Sequence, residues 1–466
     1  MSKTFKKDED INDRKEEIFF AIKDLPIIDF HCHLSPEDIY NDKPFRDLAH
    51  LWLKDDHYKM RLMRAFGVEH KYTQNINILE SNETTYRAFC LSKVKYFLAS
   101  LENAYGNPIR EWSKLEFSKY FNIDLPLDEN RAEEIYDLVN TIIVNKKLSP
   151  RKIIEDSRVE YIATTDDLLD SLEYHKKLAS QDFKTNVVPT FRVDKAIDIR
   201  SDGFIQYLEK LGKLTQVERS FEGYLKALEM RMRDFKEAGC DFSDIGIDYF
   251  PSGVADYSNA KSAFYKKFSN AKLSSKEVDD FISFMYTCWL GKCAEYNFIA
   301  QIHIGVERNV NQKMYALEGA DQGYDIVSDS ISIKNIKNIF NETQKSWKLP
   351  TVIFYALNPC FYYPLVTLAG AFQGVSVGVP WWFNDHKNGF KKYFKVISEL
   401  SHIGKIPGMV TDSRSFLSYA RHDYFRSELS SYLAKFENEE LDGLIKTAKD
   451  IAYFNIKGIL DNKKRG

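Results

Sequence analysis

Residues 25–34 read LPIIDFHCHL. An apolar run from Leu25 to Ile28 leads directly into two histidines, His31 and His33, set two positions apart. On an extended strand, residues i and i+2 point to the same side. The stretch is therefore read as a strand that presents two imidazoles to one point. Taken alone, an HxH pair fits a metal site, or one buried and one exposed histidine without function. The rest of the chain separates the two readings.

Seven further runs rich in β-branched and aromatic residues follow: Glu160–Asp166, Asn186–Arg192, Ile245–Phe250, Phe298–Gly305, Thr351–Leu357, Phe372–Phe383 and Gly408–Thr411. Between most of them lie charged segments of helical period, such as YLKALEMRMRDFKEAGC (224–240), in which Gly239 is placed to end a helix. Strands alternating with helices imply a parallel sheet, and eight such units imply a distorted (β/α)8 barrel. About 125 residues separate the first run from the second, far more than one crossover needs. They carry helical patterns (DDHYKMRLMRAFGVEH and ETTYRAFCLSKVKYFLASLENAYG) and few strand-like runs. The expected organisation is residues 1–34 as an N-terminal segment and first strand, and 35–158 as a mainly helical insertion. Residues 159–466 make the remaining barrel, with a smaller insertion near 251–285. The tail, ending DNKKRG, is expected to fray.

Barrel enzymes place their chemistry at the C-terminal ends of the strands. Those ends carry His31 and His33, then Thr164 to Asp167, Arg192, Asp248, His303, Asn358, Trp381 with Trp382, and finally Asp412 with Arg414. Two imidazoles and a carboxylate suit zinc, manganese or iron, with coordination positions left open. The position of His31 and His33 on the first strand, with His303 and Asp412 on later ones, favours the metal reading. Asp412 could instead cap the next helix, but Ser413 and Ser415 can do that job. The guanidinium of Arg414 could bind a carboxylate or a developing oxyanion. His57 and Tyr58 open a helical segment with Asp55 or Asp56 as its cap, and reach a substrate only if the insertion folds over the barrel mouth. Trp381 and Trp382 read as core or lining. Arg192, ending an apolar strand, is expected to face a partner.

Composition narrows the function class. The 466 residues hold 65 basic and 68 acidic side chains, net −3. This balance offers no footprint for nucleic acid or an anionic membrane, so the expected partner is a small molecule. Six scattered cysteines without a CxxC pair suggest a reduced, cytoplasmic protein. The charged N-terminus lacks the apolar core of a secretory signal, and no apolar run is long enough for a membrane span. Aromatics in FYYPL (361–365) are expected to be exposed and to serve contacts in a homo-oligomer.

Taken together, the motifs DFHCHLSPEDI, WLKDDHYKMRLMRAFGV, GNPIREWSKLE, TTDDLLDSLEYH, VVPTFRVDKA, QIHIGVERN, LNP, FQ, WWFND and GMVTDSRSFLSYARHDYFR run almost end to end. Through them the chain resembles the uronate (glucuronate) isomerases, a divergent branch of the amidohydrolase superfamily with a barrel of the metal-dependent hydrolase type. The resemblance implies interconversion of D-glucuronate with D-fructuronate and of D-galacturonate with D-tagaturonate. His31, His33 and Asp412 match the family's ligands for one divalent ion, usually zinc. His57, Tyr58, Arg192 and Arg414 match residues around the substrate, and a tryptophan of Trp381-Trp382 lines the pocket. His303 matches the superfamily's strand-five histidine and is placed on the substrate side of the ligand set. Two departures are Ile245, where relatives often have histidine, and Val379-Pro380, where small residues are commoner.

The implied chemistry needs a base near C2, charge stabilisation for an enediolate and an acid toward C1. Asp412 would be both ligand and proton shuttle, Arg414 a fixed positive charge, His57 the ring-opening relay, Tyr58 a donor to the oxyanion and Arg192 the counter-ion of the substrate carboxylate. A metal-dependent amidohydrolase acting on a sugar-acid-like amide or lactone is the rival reading. It often uses two metals bridged by a strand-four lysine or glutamate, and IGIDYF has no lysine. A sugar-acid binding protein without activity is the rival outside enzymology.

Overall fold

The computed structural model describes residues 2–54, 56–74 and 82–465. Its strands are β1 (Ile27–Asp29), β2 (Val159–Ala163), β3 (Asp166–Asp167), β4 (Asn186–Val188), β5 (Thr190–Arg192), β6 (Phe242–Ile247), β7 (Ile299–Ile304), β8 (Val306–Glu307), β9 (Ile326–Val327), β10 (Val352–Ala356) and β11 (Val375–Val377). One parallel sheet runs β1-β2-β4, and a second runs β3-β5-β6-β7-β10-β11. The pair β8–β9 is antiparallel. Pro189, which has no N–H to give a ladder, separates β4 from β5. Neighbours in the sheets follow chain order with helices between them, the pattern of an α/β fold.

Seven of the eight runs read from the sequence contain a strand. The eighth, Gly408–Thr411, does not. Pro407 and Gly408 weaken it as a strand former, and side chains hold it where a ladder would. Thr411 donates from its N–H (2.9 Å) and its hydroxyl (2.5 Å) to the Asp29 carboxylate on β1. The Asp412 N–H reaches the His31 carbonyl at 3.0 Å, and the His33 N–H reaches that of Ser413 at 3.0 Å. No ladder joins β11 to this segment, so the two sheets do not close on themselves among the described residues.

The longer strands β2, β6, β7 and β10 are buried on both faces, as in parallel sheets covered by helices. On β10, Ile353 and Tyr355 pack with Phe30, Phe242 and Trp381 in an inner cluster, whereas Val352, Phe354 and Ala356 face the helices. Between β1 and β2 the described residues hold seven α-helices and no strand. Their apolar faces form a cluster around Trp52, whose ring lies 4.7 Å from both Phe97 and Phe117. The buried Glu116 accepts from the Trp52 ring N–H (2.6 Å) and the Lys59 amine (3.1 Å). Near 251–285 lie the helix Tyr257–Phe268 and the start of Ser275–Glu295, the latter opened by a Ser274–Glu277 capping box. The helix Phe221–Glu237 stops before Gly239, whose φ of 90° suits glycine.

Two expectations fail. The C-terminal tail does not fray: the helix Asn455–Arg465 runs through it, and the Lys463 amine donates to the carbonyls of Asp241 (3.1 Å) and Asn297. In FYYPL, Phe361 and Tyr362 are buried against the helix layer and only Tyr363 is exposed. No helix among the described residues is long and apolar enough to cross a membrane.

Candidate active site

At the C-terminal ends of the strands lies a cavity of about 410 Å³, lined by His31, His33, His57, Asp166, Arg192, His303, Arg308, Asp321, Trp381, Trp382, Asp412 and Arg414 among others. A larger cavity of about 630 Å³, between the helices Phe204–Thr215 and Phe221–Glu237, holds no histidine and lies apart from the strand ends. His31 and His33 leave the end of β1 on one side, as the two-residue spacing requires. Both Nε2 atoms converge on one oxygen of Asp412, Oδ1, at 3.1 and 3.0 Å. The sequence separation of His31 and Asp412 is 381 residues. Asp412 is held in the left-handed region, φ 45°, a conformation rare for a non-glycine residue. Besides the bonds of Thr411 to Asp29, the buried Arg421 donates to the Thr411 carbonyl at 2.8 Å while pairing with the buried Asp385. The Tyr58 hydroxyl reaches the Asp412 carbonyl at 3.4 Å. Thus Asp29, Arg421 and Tyr58 fix the strained backbone that carries this carboxylate.

A second cluster adjoins the first. His303 stacks beside His31 at 4.4 Å, and its Nδ1 lies 2.7 Å from Asp244 Oδ1. Asp244, fully buried on β6, also pairs with Arg192 at 3.0 Å. His31, Asp244 and His303 offer three donor atoms within 4.8 Å of one another, as do His31, His33 and Asp412. The electrostatics differ across the pair. Burial works against charging both histidines and is the largest single influence; at His31 the negative charges of Asp244 and Asp412 together outweigh it and raise the pKa. Burial dominates at His33, which falls to about 4. Burial alone would raise Asp412 and Asp244, but the histidines beside Asp412, and Arg192 and His303 beside Asp244, hold both acids below the ordinary carboxylate range.

The mouth is cationic and aromatic. Arg414 donates to Asp321 at 2.9 Å and to His57 Nδ1 at 3.4 Å. Burial, then the charge of Arg414, lowers the His57 pKa. His57 stacks on Tyr58 (4.6 Å) and meets Trp382 edge-on (5.4 Å), while Arg308 lies over Trp382 at 5.5 Å. Asp56 caps the helix His57–Phe66 by accepting from Lys59 N–H at 3.1 Å; Asp55 lies outside the described residues. The same helix sends Arg61 and Arg64 to the carbonyls of Gln322, Gly323 and Asp325 at 2.8–3.3 Å. The helical insertion therefore does reach over the strand ends, and His57 comes with it.

The glucuronate isomerase family model matches residues 1–459. The chain belongs to the glucuronate isomerase family. It is 37% identical over 448 residues to the uronate isomerase of Caldanaerobacter subterraneus subsp. tengcongensis, covering 93% of this chain and 94% of that one. The Streptococcus uberis uronate isomerase is 38% identical over 462 residues, covering 95% and 96%. The solved structure of the Thermotoga maritima uronate isomerase superposes with a TM-score of 0.89 at 30% identity, over 96% of this chain and 97% of that one.

Every residue assigned to the site from the resemblance to this family lies in or beside the one cavity, with Tyr58 reaching it from behind Asp412. Three strand-end residues do not line it, of which Thr164 is buried beside Asp166. Asp248 pairs with Arg200 at 2.7 Å outside this cavity, and Asn358 caps the turn that follows β10. The sequence reading missed Asp244, because it began the fourth strand at Ile245; the strand begins at Phe242, and an acid inside a buried apolar run was the available signal. It also missed Arg308 and Asp321, whose segment had no strand or helix pattern to place it. Ile245 and Val379, two of the departures from the family pattern, are buried in the core that faces the helices.

Proposed function

We propose that this chain is a uronate isomerase that interconverts D-glucuronate with D-fructuronate, and D-galacturonate with D-tagaturonate. The observation that carries the reading is the convergence of His31, His33, Asp412, Arg414 and His57 in one cavity of a chain belonging to the glucuronate isomerase family. In this reading the strands form a distorted (β/α)8 barrel in which residues 408–412 take the place of the eighth strand. Residues 35–158 are its inserted helical subdomain, and the protein is a cytoplasmic homo-oligomer.

Two imidazole nitrogens and a carboxylate oxygen within 4.8 Å of one another fit one divalent ion, for which we take zinc. The convergence of both rings on a single oxygen supports that fit. His31, His33 and Asp412 would hold the ion, which supplies Lewis acidity toward the sugar oxygens. The neutral His57 relays the proton that opens the sugar ring; its Nδ1 faces Arg414, leaving Nε2 to carry the hydrogen. Asp412 takes the proton from C2, and the C2–H electron pair becomes the C1–C2 double bond of the enediol while the carbonyl oxygen on C1 gains a proton. Return of a proton to C1 and loss of the O2 proton then yield the ketose. Arg414 stabilises the developing oxyanion, and Tyr58 donates to it when its hydroxyl turns from the Asp412 carbonyl. Arg192 faces the substrate carboxylate, and Trp381, Trp382 and His303 shape the wall.

Purified protein incubated with D-glucuronate is expected to form a ketose. Absence of turnover on either uronate, with hydrolysis of an amide or lactone in its place, would overturn the reading. The hydrolase alternative is disfavoured at β6, where Asp244 is neutralised by Arg192 and no lysine stands.

A further inference from the structure

Asp166 lines the cavity yet is 5% exposed, and the site as described gives it no task. A buried carboxylate is ordinarily paired with a cation. Among the described residues no lysine or arginine lies within ion-pair distance of Asp166; its one titratable neighbour there is His175, at 3.6 Å. The cations nearby are bound elsewhere: Lys195 to Asp167 at 2.9 Å, and Arg192 to Asp194 and Asp244. The hydrogen bonds fix where a proton can sit. Asp166 Oδ2 accepts from the Thr164 hydroxyl at 2.8 Å and from the Thr190 N–H at 3.2 Å. The Thr164 hydroxyl lies nearer Asp166 than the Val188 carbonyl, 3.2 Å away; with its one hydrogen given to Asp166, its oxygen accepts from His175 Nε2 at 2.7 Å, which places a ring hydrogen on Nε2. His175 Nδ1 is buried and without a partner, as this tautomer leaves it. Oδ2 is thus saturated as an acceptor, and Oδ1 is the oxygen left to bear a proton.

We propose that Asp166 acts in the site as a neutral carboxylic acid, donating a hydrogen bond from Oδ1 to a substrate oxygen. The proposal rests on the isomerase reading and adds to it a donor near the strand-two end of the cavity. Burial pushes the Asp166 carboxyl up to about 7, and burial pushes His175 down to about 4. Among the described residues, the other ionisable groups that face Asp166 bring it no positive charge. Asp170, from the turn after β3, raises it further, and Cys32 beside β1 and Cys240 before β6 are buried thiols held above their ordinary range. A buried acid kept neutral can stabilise an enediolate oxygen as a hydrogen-bond donor; once ionised it repels that oxygen.

The test compares Asp166→Asn with Asp166→Ala in the full chain with its metal restored. An asparagine keeps the geometry: its oxygen accepts from Thr164 and Thr190, and its Nδ2 donates where the acid did. For D-glucuronate, kcat/KM of the wild type is expected to fall through an ionisation near 7. Asp166→Asn retains activity within about tenfold and loses that alkaline limb, whereas Asp166→Ala loses about 100-fold. An unchanged alkaline limb in Asp166→Asn, or activity as low as that of Asp166→Ala, overturns the proposal. Infrared difference spectra of wild type against Asp166→Asn give a second reading without substrate. A protonated carboxyl band is expected at about pH 6 and lost by about pH 8; its absence at the lower pH overturns the proposal as well. Failure of the wild type to turn over either uronate counts against the isomerase reading itself, and the infrared arm still decides the state of Asp166.

Discussion

At the scale of single residues, the site is a set of paired charges in which few groups are spare. Asp412 serves two histidines at once, and replacing one of its oxygens tests that double duty. Asp412→Asn is expected to lower kcat by about 10²–10⁴-fold, the usual weight of a positioned proton-transfer group; near-normal turnover in steady-state assays would remove it from the mechanism. Arg192 is more constrained than its place at a strand end suggested, since its guanidinium also neutralises the fully buried Asp244. Arg192→Met should therefore raise KM for the uronate and also destabilise the fold by about 3–5 kcal/mol, because an unpaired charge is left in the interior. Urea unfolding beside kinetics checks both, and an unchanged KM would give Arg192 a purely structural task. The pH profile follows from His57. Its folded pKa lies below the ordinary 6.5, so it stays neutral as pH falls past that value and gains its proton only lower. The acid limb of kcat/KM is accordingly expected below 6.5, and a limb above it would exclude the neutral relay.

At the scale of elements, the segment 408–412 is the informative one. It has the sequence of a short strand and the place of one, but its N–H and hydroxyl groups go to a carboxylate on β1. Thr411→Val removes the hydroxyl bond to Asp29 inside the core, a loss of about 1–3 kcal/mol. It should also weaken zinc binding, since Thr411 precedes the proposed ligand Asp412, and Thr411→Ser should restore both in calorimetric titration. Equal zinc affinity in Thr411→Val and wild type would show that Asp412 needs no such clamp. Burial raises Asp29 to about 6, against the bonds from Thr411. A folded pKa above the unfolded value of about 3.9 means that the stability it contributes is complete below that value. It is lost as pH rises through about 6. The helix His57–Phe66 joins two further elements, carrying His57 into the site and binding the 322–325 backbone through Arg61 and Arg64.

For the whole molecule, the proposed metal, held between β1 and residue 412, would tie the first strand to a segment far along the chain. A ligand that binds only the folded state stabilises it by mass action, about 2.7 kcal/mol at 100 times Kd. Chelation is therefore expected to lower the thermal midpoint together with activity, and zinc to restore both. Calorimetry with and without chelator checks this; an unchanged midpoint with full loss of activity would mean that the ion does not bridge the two ends.

Much of this organisation was written locally. The β-branched runs placed strands at seven of eight positions, the long gap after the first gave the helices between β1 and β2, and the two-residue spacing of His31 and His33 put both rings on one side. These features depend on neighbours a few positions apart, which is why they can be read from the chain. Asp244 was hidden by a strand boundary three residues out, and Asp321 and Arg308 by a segment without periodicity. The meeting of Asp412 with His31 and the pairing of Arg192 with Asp244 belong to the tertiary structure. Each is a contact between charges far apart in sequence, set by how helices and strands pack, and no local pattern of residue types encodes it.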